Sequence, residues 1–486
     1  MIHARNTLYA FELKQLPDVT DLVLTTEEPT VDSENPVVTG GPPEHPYDGK
    51  ICYTASVETL DDGYGMWYQA EDSSGRFTRE LATSADGFSW KKHGAVGTGL
   101  FNTLGNSFNV FRDGTRYYAP TTALGNEPGA AATYRGLIPA DVPDERRRRM
   151  TENAIRKTGR EGVVTFVGVA TSEDGLNWSL PPETPRLPMK LETPWLYRFQ
   201  GRYLMSAQTN GTWFDPPDPA SRIVVFFESD DLIHWKTAPE CMTNTAHESI
   251  HGQTHVGIVP IKCIDDRLLI GLGGRFDDGR ELTDQHFEIT LLYSYDGLHW
   301  KPVTPEHERR NWIRRGRPGE WDFGGVAAMG MVEHGDEAAV YYTGTRVGNA
   351  CHTQPLYDPG SCQVGRVRFA RDRFAALQPS VGWKTLNAGA ADTVVSGTLT
   401  TGELELSRDR RLKLNLTMPA DSAARVVVEM LTPDGASIGS AELRTGGVAA
   451  PVPLTRDVPS TPVRLRITME GGPAPDRVPR LFAIEY

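Results

Sequence analysis

Cysteine is scarce. The chain has five in 486 residues: Cys52, Cys241, Cys263, Cys351 and Cys362. No Cys-x-x-Cys pair occurs, which argues against a zinc site or a disulfide scaffold. Free thiols are expected, with a Cys351–Cys362 bridge across one loop as the alternative. Long apolar runs are also missing. None approaches the ~20 residues a membrane helix needs, so no membrane partner is expected. The first residues, MIHARNTLYAFELKQL, lack the apolar core and small-residue cleavage site of a secretory signal. A cytoplasmic protein is the resulting expectation. Basic excess is absent too. A formal net charge of −13 argues against a nucleic-acid partner, because phosphates demand a basic face.

Glycine and proline, by contrast, are plentiful, at 48 and 35 residues, which suits many short strands and turns. A hydrophobic content of 39% supports a substantial core, and the length suits more than one domain but fewer than three. One phrase recurs: ATSADGFSW at 82–90, ATSEDGLNW at 170–178, FESDDLIHW at 227–235 and LYSYDGLHW at 292–300. A worn fifth copy, VRFARDRFAAL at 367–377, keeps the Asp and an aromatic. Each copy joins two apolar, β-rich runs. Asp-Gly between such runs is a hairpin turn, because Gly accepts positive φ. The aspartates lie 57 to 88 residues apart, enough for one four-stranded blade plus loops. An all-β chain with a five-bladed β-propeller is the predicted architecture.

Within it, residues 1–35 read as an arm with one strand, DLVLTT, and the propeller spans 36–382. Blade two is interrupted by an insertion from about residue 122 to 161, in which PDERRRRMTENAIRKTGRE reads as a helix with an acidic start and a basic end. From 383 to 486 the aromatic hairpins stop and alternating strands follow. Leu412, Leu414, Leu416 and Met418 share one face at period two, as do Val463, Leu465, Ile467 and Met469. This pattern predicts a C-terminal β-sandwich.

In a propeller the inner strand of each blade lines the channel, and its first residues face the mouth. Polar residues there are expected to bind a ligand or sit in water. They are Tyr47 and Asp48 in blade one, then Asn106, Ser107 and Asn109 in blade two. Blade three offers Glu192, blade four His251, Gln253 and His255, and blade five Glu320, Trp321 and Asp322. Glycosidic cleavage needs two carboxyl groups, one ionised and one protonated, on opposite sides of the anomeric carbon. Asp48 and Glu192, from blades one and three, are placed to converge across the channel. A turn role for Asp48, a solvated loop for Glu192 and a loop-holding role for Asp322 are the plainer alternatives. His251 and His255 are spaced like a metal pair on one strand face, but a structural pair is the commoner outcome, and no metal or cofactor is expected. Trp213 and Phe214 are candidates to stack on a sugar, or to pin their proline-rich loop. Trp90, Trp178, Trp235 and Trp300, at the ends of the hairpins, read as core.

The blade phrases GMWYQA and ATSADGFSW, the closing RDRFAAL and the propeller-plus-sandwich plan resemble the five-bladed propeller glycoside hydrolases. That superfamily includes family 32 fructosidases and family 43 arabinosidases and xylosidases. The likeness spans nearly the whole chain, and the sandwich resembles the family 32 C-terminal module. The resemblance implies a nucleophile or base Asp at the head of blade one and an acid Glu at the head of blade three. Glu192-Thr193-Pro194 stands where the family has Glu-Cys-Pro. Asp48 stands in PYDGK rather than Asn-Asp-Pro-Asn. The family's transition-state-stabilising Asp of blade two has no carboxylate counterpart here, only Asn106, and Asp322 is the candidate replacement. The resemblance therefore implies a glycoside hydrolase acting on a terminal carbohydrate, with furanosides among the candidate substrates. A glycoside phosphorylase that uses arginines of ERRNWIRRGRPGEW (308–321), and a non-catalytic carbohydrate-binding propeller, are the alternatives. A sialidase ranks below them, since its Asp-box sets a residue between Asp and Gly. The run Arg146 to Arg149 is a candidate lid or homo-oligomer contact.

Overall fold

The computed structural model describes residues 1–41, 50–71, 77–96, 109–125, 132, 135–136, 138, 140–160, 163–183, 191–211, 218–238, 253–277, 285–303, 311–348, 362–382, 394–406, 412–420, 423–454 and 461–486. Five antiparallel blades and two sandwich sheets account for the described strands. The inner strands of the blades are Lys50–Leu60, Phe111–Asp113, Glu192–Phe199, Gln253–Ile264 and Gly325–His334. Blades four and five join in one sheet through a single parallel pair, Phe287 with Gly325. The insertion helix forms, over Asp144–Thr158. Its arginines are engaged locally: Arg148 pairs with Glu145 and Glu152, and Arg147 bonds the Arg135 carbonyl. Among the described residues no helix is long and apolar enough to cross a membrane, and Cys263 and Cys362 are buried free thiols.

The recurring phrase builds the same turn four times. In the first copy the Asp86 carboxylate accepts the Phe88 and Ser89 amides at 2.7 and 2.8 Å, while the Gly87 amide donates to Ser84 Oγ. Gly87, Gly175 and Gly297 have φ of 75°, 72° and 78°, and Leu232 takes 66° where the third copy lacks Gly. The turn also stitches neighbouring blades. Trp67 of blade one donates to the Gly175 carbonyl of blade two at 2.8 Å. Tyr197 of blade three donates to the Gly297 carbonyl of blade four at 2.7 Å. Tyr341 of blade five donates to the Gly87 carbonyl of blade one, which carries the same stitch across the seam of the ring. The tryptophans that end the copies are only partly core: Trp235 is buried, while Trp90, Trp178 and Trp300 are half-buried.

The fifth copy departs from this plan. Its strand Ala375–Pro379 leaves the propeller and pairs with Leu22–Thr26 and Arg480–Glu485 in the sandwich. The outer strand of blade five is instead Thr30–Val31, from the arm, against Val367 and Arg368. The arm therefore holds five strands, not the one expected from DLVLTT. Ile2–Ala4 runs parallel to the inner strand of blade four, Thr7–Tyr9 and Leu22–Thr26 join one sandwich sheet, and Asp18–Thr20 joins the other. Strands of two to five residues are too short to show a period, so pairing partners far along the chain decide them.

Arg366 locks the closure. Its guanidinium reaches Asp32 at 2.6 Å and Glu34 at 2.8 Å in the arm, and the Phe88 carbonyl of blade one at 2.7 Å. It is 1% exposed and lies over the Phe88 ring. Burial works against the Asp32 charge, but the Glu34 amide and Arg366 hold its pKa below the usual carboxylate range. In the sandwich, Leu414, Leu416, Val463, Leu465, Ile467 and Met469 are buried on the faces their spacing foretold. Each such side chain contributes about 1.5–3 kcal/mol.

Two predictions follow from these contacts. Arg366→Ala strands the buried Asp32 charge and should cost about 3–5 kcal/mol in chemical denaturation; a loss under 1 kcal/mol would refute the lock. The turn aspartates give a pH signature. Asp86, Asp174 and Asp296 have pKa values pulled down to about 2, by backbone amides at Asp86 and Asp174 and, against the effect of burial, by the His299 amide and ring at Asp296. The stability they contribute is complete above about pH 4, the unfolded value. It is lost as pH falls toward 2. The melting temperature should drop steeply over that window, and a flat profile there would contradict the role of the turns.

Candidate active site

The inner strands meet around the axis, where the Met1 amino group pairs with Glu58 at 2.6 Å. All five inner strands line a cavity of about 20 Å³ there, with Val57, Val110, Trp195, Val259 and Met329 as examples and Met1 and Glu58 at its wall. That is roughly the room one water needs. A ligand approaching along the axis thus meets the heads of the inner strands, where three described features converge.

The first is a bulge. Glu192 opens the inner strand of blade three opposite Gln208, and the register then slips before Trp195 meets Ser206. Within the slip Thr193 has φ of +47°. That is a left-handed conformation, uncommon for a β-branched residue, and one that the following Pro194 disfavours further. Bulges gather next to active sites because they re-aim a side chain. The second feature is Asn109, just ahead of the first strand of blade two. Its Nδ2 donates to the Pro194 carbonyl at 2.8 Å, and its Oδ1 has no hydrogen-bond partner among the described residues. The third is a matching slip in blade four between His255 and Ile258. Gly257 there has φ of +78°, and a Cβ on it would stand 3.0 Å from the Thr193 carbonyl oxygen. Glycine suits both the conformation and the close approach.

Of the residues expected at the mouth, Tyr47, Asp48, Asn106, Ser107, Trp213, Phe214 and His251 lie outside the described residues. The backbones of Glu192, Gln253 and His255 sit at the heads of their strands, the last two opposite Asp277 and Arg275. Asn109, expected to face water or a sugar, is 1% exposed and bonds the Pro194 carbonyl. Asp322 is 6% exposed and accepts the Tyr342 hydroxyl at 3.0 Å. Burial raises its pKa, and the Tyr342 bond offsets part of that. Trp321 stacks on Tyr342 at 5.9 Å and lies over Gly344, where any Cβ would collide with it. Glu320 is exposed and accepts the Arg317 amide at 2.5 Å. The segment is thus held like a brace across blade five. Of the basic stretch, Arg314 pairs with Glu28, and Arg315 lies over the Phe323 ring and bonds its carbonyl.

Sequence reasoning missed Thr193 and Gly257 as constraints, and also a buried charge cluster behind the site. Lys262 of blade four, 2% exposed, reaches Glu333 of blade five at 2.7 Å and Asp372 at 2.5 Å. Tyr9 of the arm donates to the same Asp372. Among the described residues no cluster of His, Cys, Asp and Glu is grouped to hold a metal ion.

No family model matches this chain, and no curated protein matches it. Solved structures do. A thermostable family-43 glycoside hydrolase is 14% identical, with 70% of this chain and 94% of that one covered and a TM-score of 0.44. A GH32 beta-fructofuranosidase from Bombyx mori is 9% identical over 93% of this chain and 94% of that one, at 0.39. An N-acetylgalactosamine deacetylase from F. plautii is 12% identical over 72% and 96%, at 0.40.

The strain at Thr193 has a simple test. Thr193→Gly relieves it, so the variant should melt at or above the wild-type temperature, with a gain of about 1 kcal/mol. A clear loss of stability would show that the threonine side chain contributes more than the strain costs. The blades and the sandwich stand on this chain's own strand pairing, and the resemblance to propeller glycoside hydrolases is one of fold.

Proposed function

We propose that the protein is a glycoside hydrolase with its active site at the propeller mouth and Glu192 as the general acid. The observation that carries this reading is the backbone at the head of blade three: Glu192 begins the axis-lining strand, and the next residue is held in a left-handed conformation within a bulge. Strain of this kind persists where the surroundings over-determine it, and it gathers at catalytic positions. Asp48, at the head of blade one in sequence, is the partner carboxylate, acting as nucleophile or as base for water. The substrate is the terminal sugar of a carbohydrate.

The test is a leaving-group series. Aryl furanosides and pyranosides are assayed with and without phosphate, against wild type and Glu192→Gln. The variant should lose about 10²–10⁴-fold in kcat/KM on poor leaving groups and far less on dinitrophenolates, which depart without a proton. Equal turnover by variant and wild type would remove Glu192 from the mechanism. Phosphate-dependent turnover would replace hydrolysis by phosphorolysis.

A further inference from the structure

Two local costs meet at the head of blade three. Thr193 keeps φ of +47° ahead of a proline, where an extended backbone is easier. Asn109 is 1% exposed and satisfies only its donor end, leaving Oδ1 buried and, among the described residues, unpartnered. A buried amide with one end unmet is poorer for stability than an apolar side chain of similar size. Local rules broken together in one place mark a site where function sets the sequence.

The two features are joined by one hydrogen bond, from Asn109 Nδ2 to the Pro194 carbonyl at 2.8 Å. On the opposite side Gly257 leaves the Thr193 carbonyl only the room that a missing side chain provides. Blades two and four therefore grip residues 193 and 194 from either flank. We propose that Asn109 is a positioning residue for the general acid: through the Pro194 carbonyl it holds the bulge that carries Glu192. This rests on the glycosidase reading above. Asn109 itself touches no reacting atom. Its contribution is to fix the strand head against relaxing into a regular ladder, which would shift the register of residue 192 by one place.

The experiment compares wild type, Asn109→Leu and Glu192→Gln. Hydrogen exchange in residues 191–199 of Asn109→Leu should quicken by about tenfold, with blades four and five unchanged. On aryl glycosides its kcat should fall about 100-fold more for a phenol than for a dinitrophenol leaving group, with KM little changed. Unchanged exchange, or an equal loss on both leaving groups, would overturn the proposal and leave Asn109 a packing residue. If Asn109→Leu does not fold, Gly257→Ala displaces the bulge from the other flank by crowding the Thr193 carbonyl and should give the same selective loss; a uniform loss there overturns the proposal equally. The underlying reading fails separately. A wild type that cleaves no member of the series, or a Glu192→Gln variant with the wild-type leaving-group profile, sinks the glycosidase and the role of Asn109 with it.

Discussion

A ring of blades needs a seam, and here the seam depends on Arg366. The outer strand of blade five is only two residues long, Thr30–Val31, too short to hold by its ladder bonds alone. Arg366 supplies the missing attachment by binding acids on the arm and a carbonyl on blade one from a single buried guanidinium. Its planar fork suits this, since several partners are met at fixed angles without rearrangement. The ring then fixes the spacing of the five strand heads. A site assembled from blades one and three has no covalent short cut between its halves, so its geometry is only as firm as the closure.

Behind the mouth, the sandwich is coupled to the ring rather than merely attached. Asp372 shows how. It occupies the aspartate position of the worn fifth hairpin, takes φ of +64°, and binds Lys262 and Tyr9 instead of capping a turn. Burial raises the pKa of Glu333 and works against the Lys262 charge, yet Asp372 and Glu333 together keep that lysine protonated. Removing Lys262 would leave two buried carboxylates without their cation. The same residues turn the chain out of the propeller, so the exit point and the interdomain contact are one feature.

The sequence made the repeated architecture legible for a physical reason. The Ser-x-Asp-Gly turn is local: its hydrogen bonds lie within four residues, so its letters recur with its shape. The sandwich strands were legible through period two, which Leu465, Ile467 and Met469 keep strictly. What escaped notice depends on contacts between distant residues. The arm's strands are set by partners at least 260 residues away, and the exit at Ala375 follows from pairing with Leu22–Thr26 and Arg480–Glu485. Asn109 was singled out, but for a sugar; its burial against Pro194 depends on how two blades abut. Asp322 was singled out as a carboxylate and is held by Tyr342, which no spacing announced. Thr193 left a trace only in the Thr-Pro pair, which by itself reads as extended chain.

The proposed chemistry follows from this arrangement. The inner strands are apolar where they pack on the axis and irregular where they begin, and the irregularity falls beside the glutamate that the sequence nominates. The most direct measurement is a crystal soaked with a sulfur-linked, uncleavable glycoside of a substrate. The account predicts the sugar over the mouth, with its linking sulfur within about 4 Å of the Glu192 carboxyl and its anomeric carbon facing Asp48. A sugar bound on the sandwich or on the outer blade edges, with the mouth vacant, would contradict it.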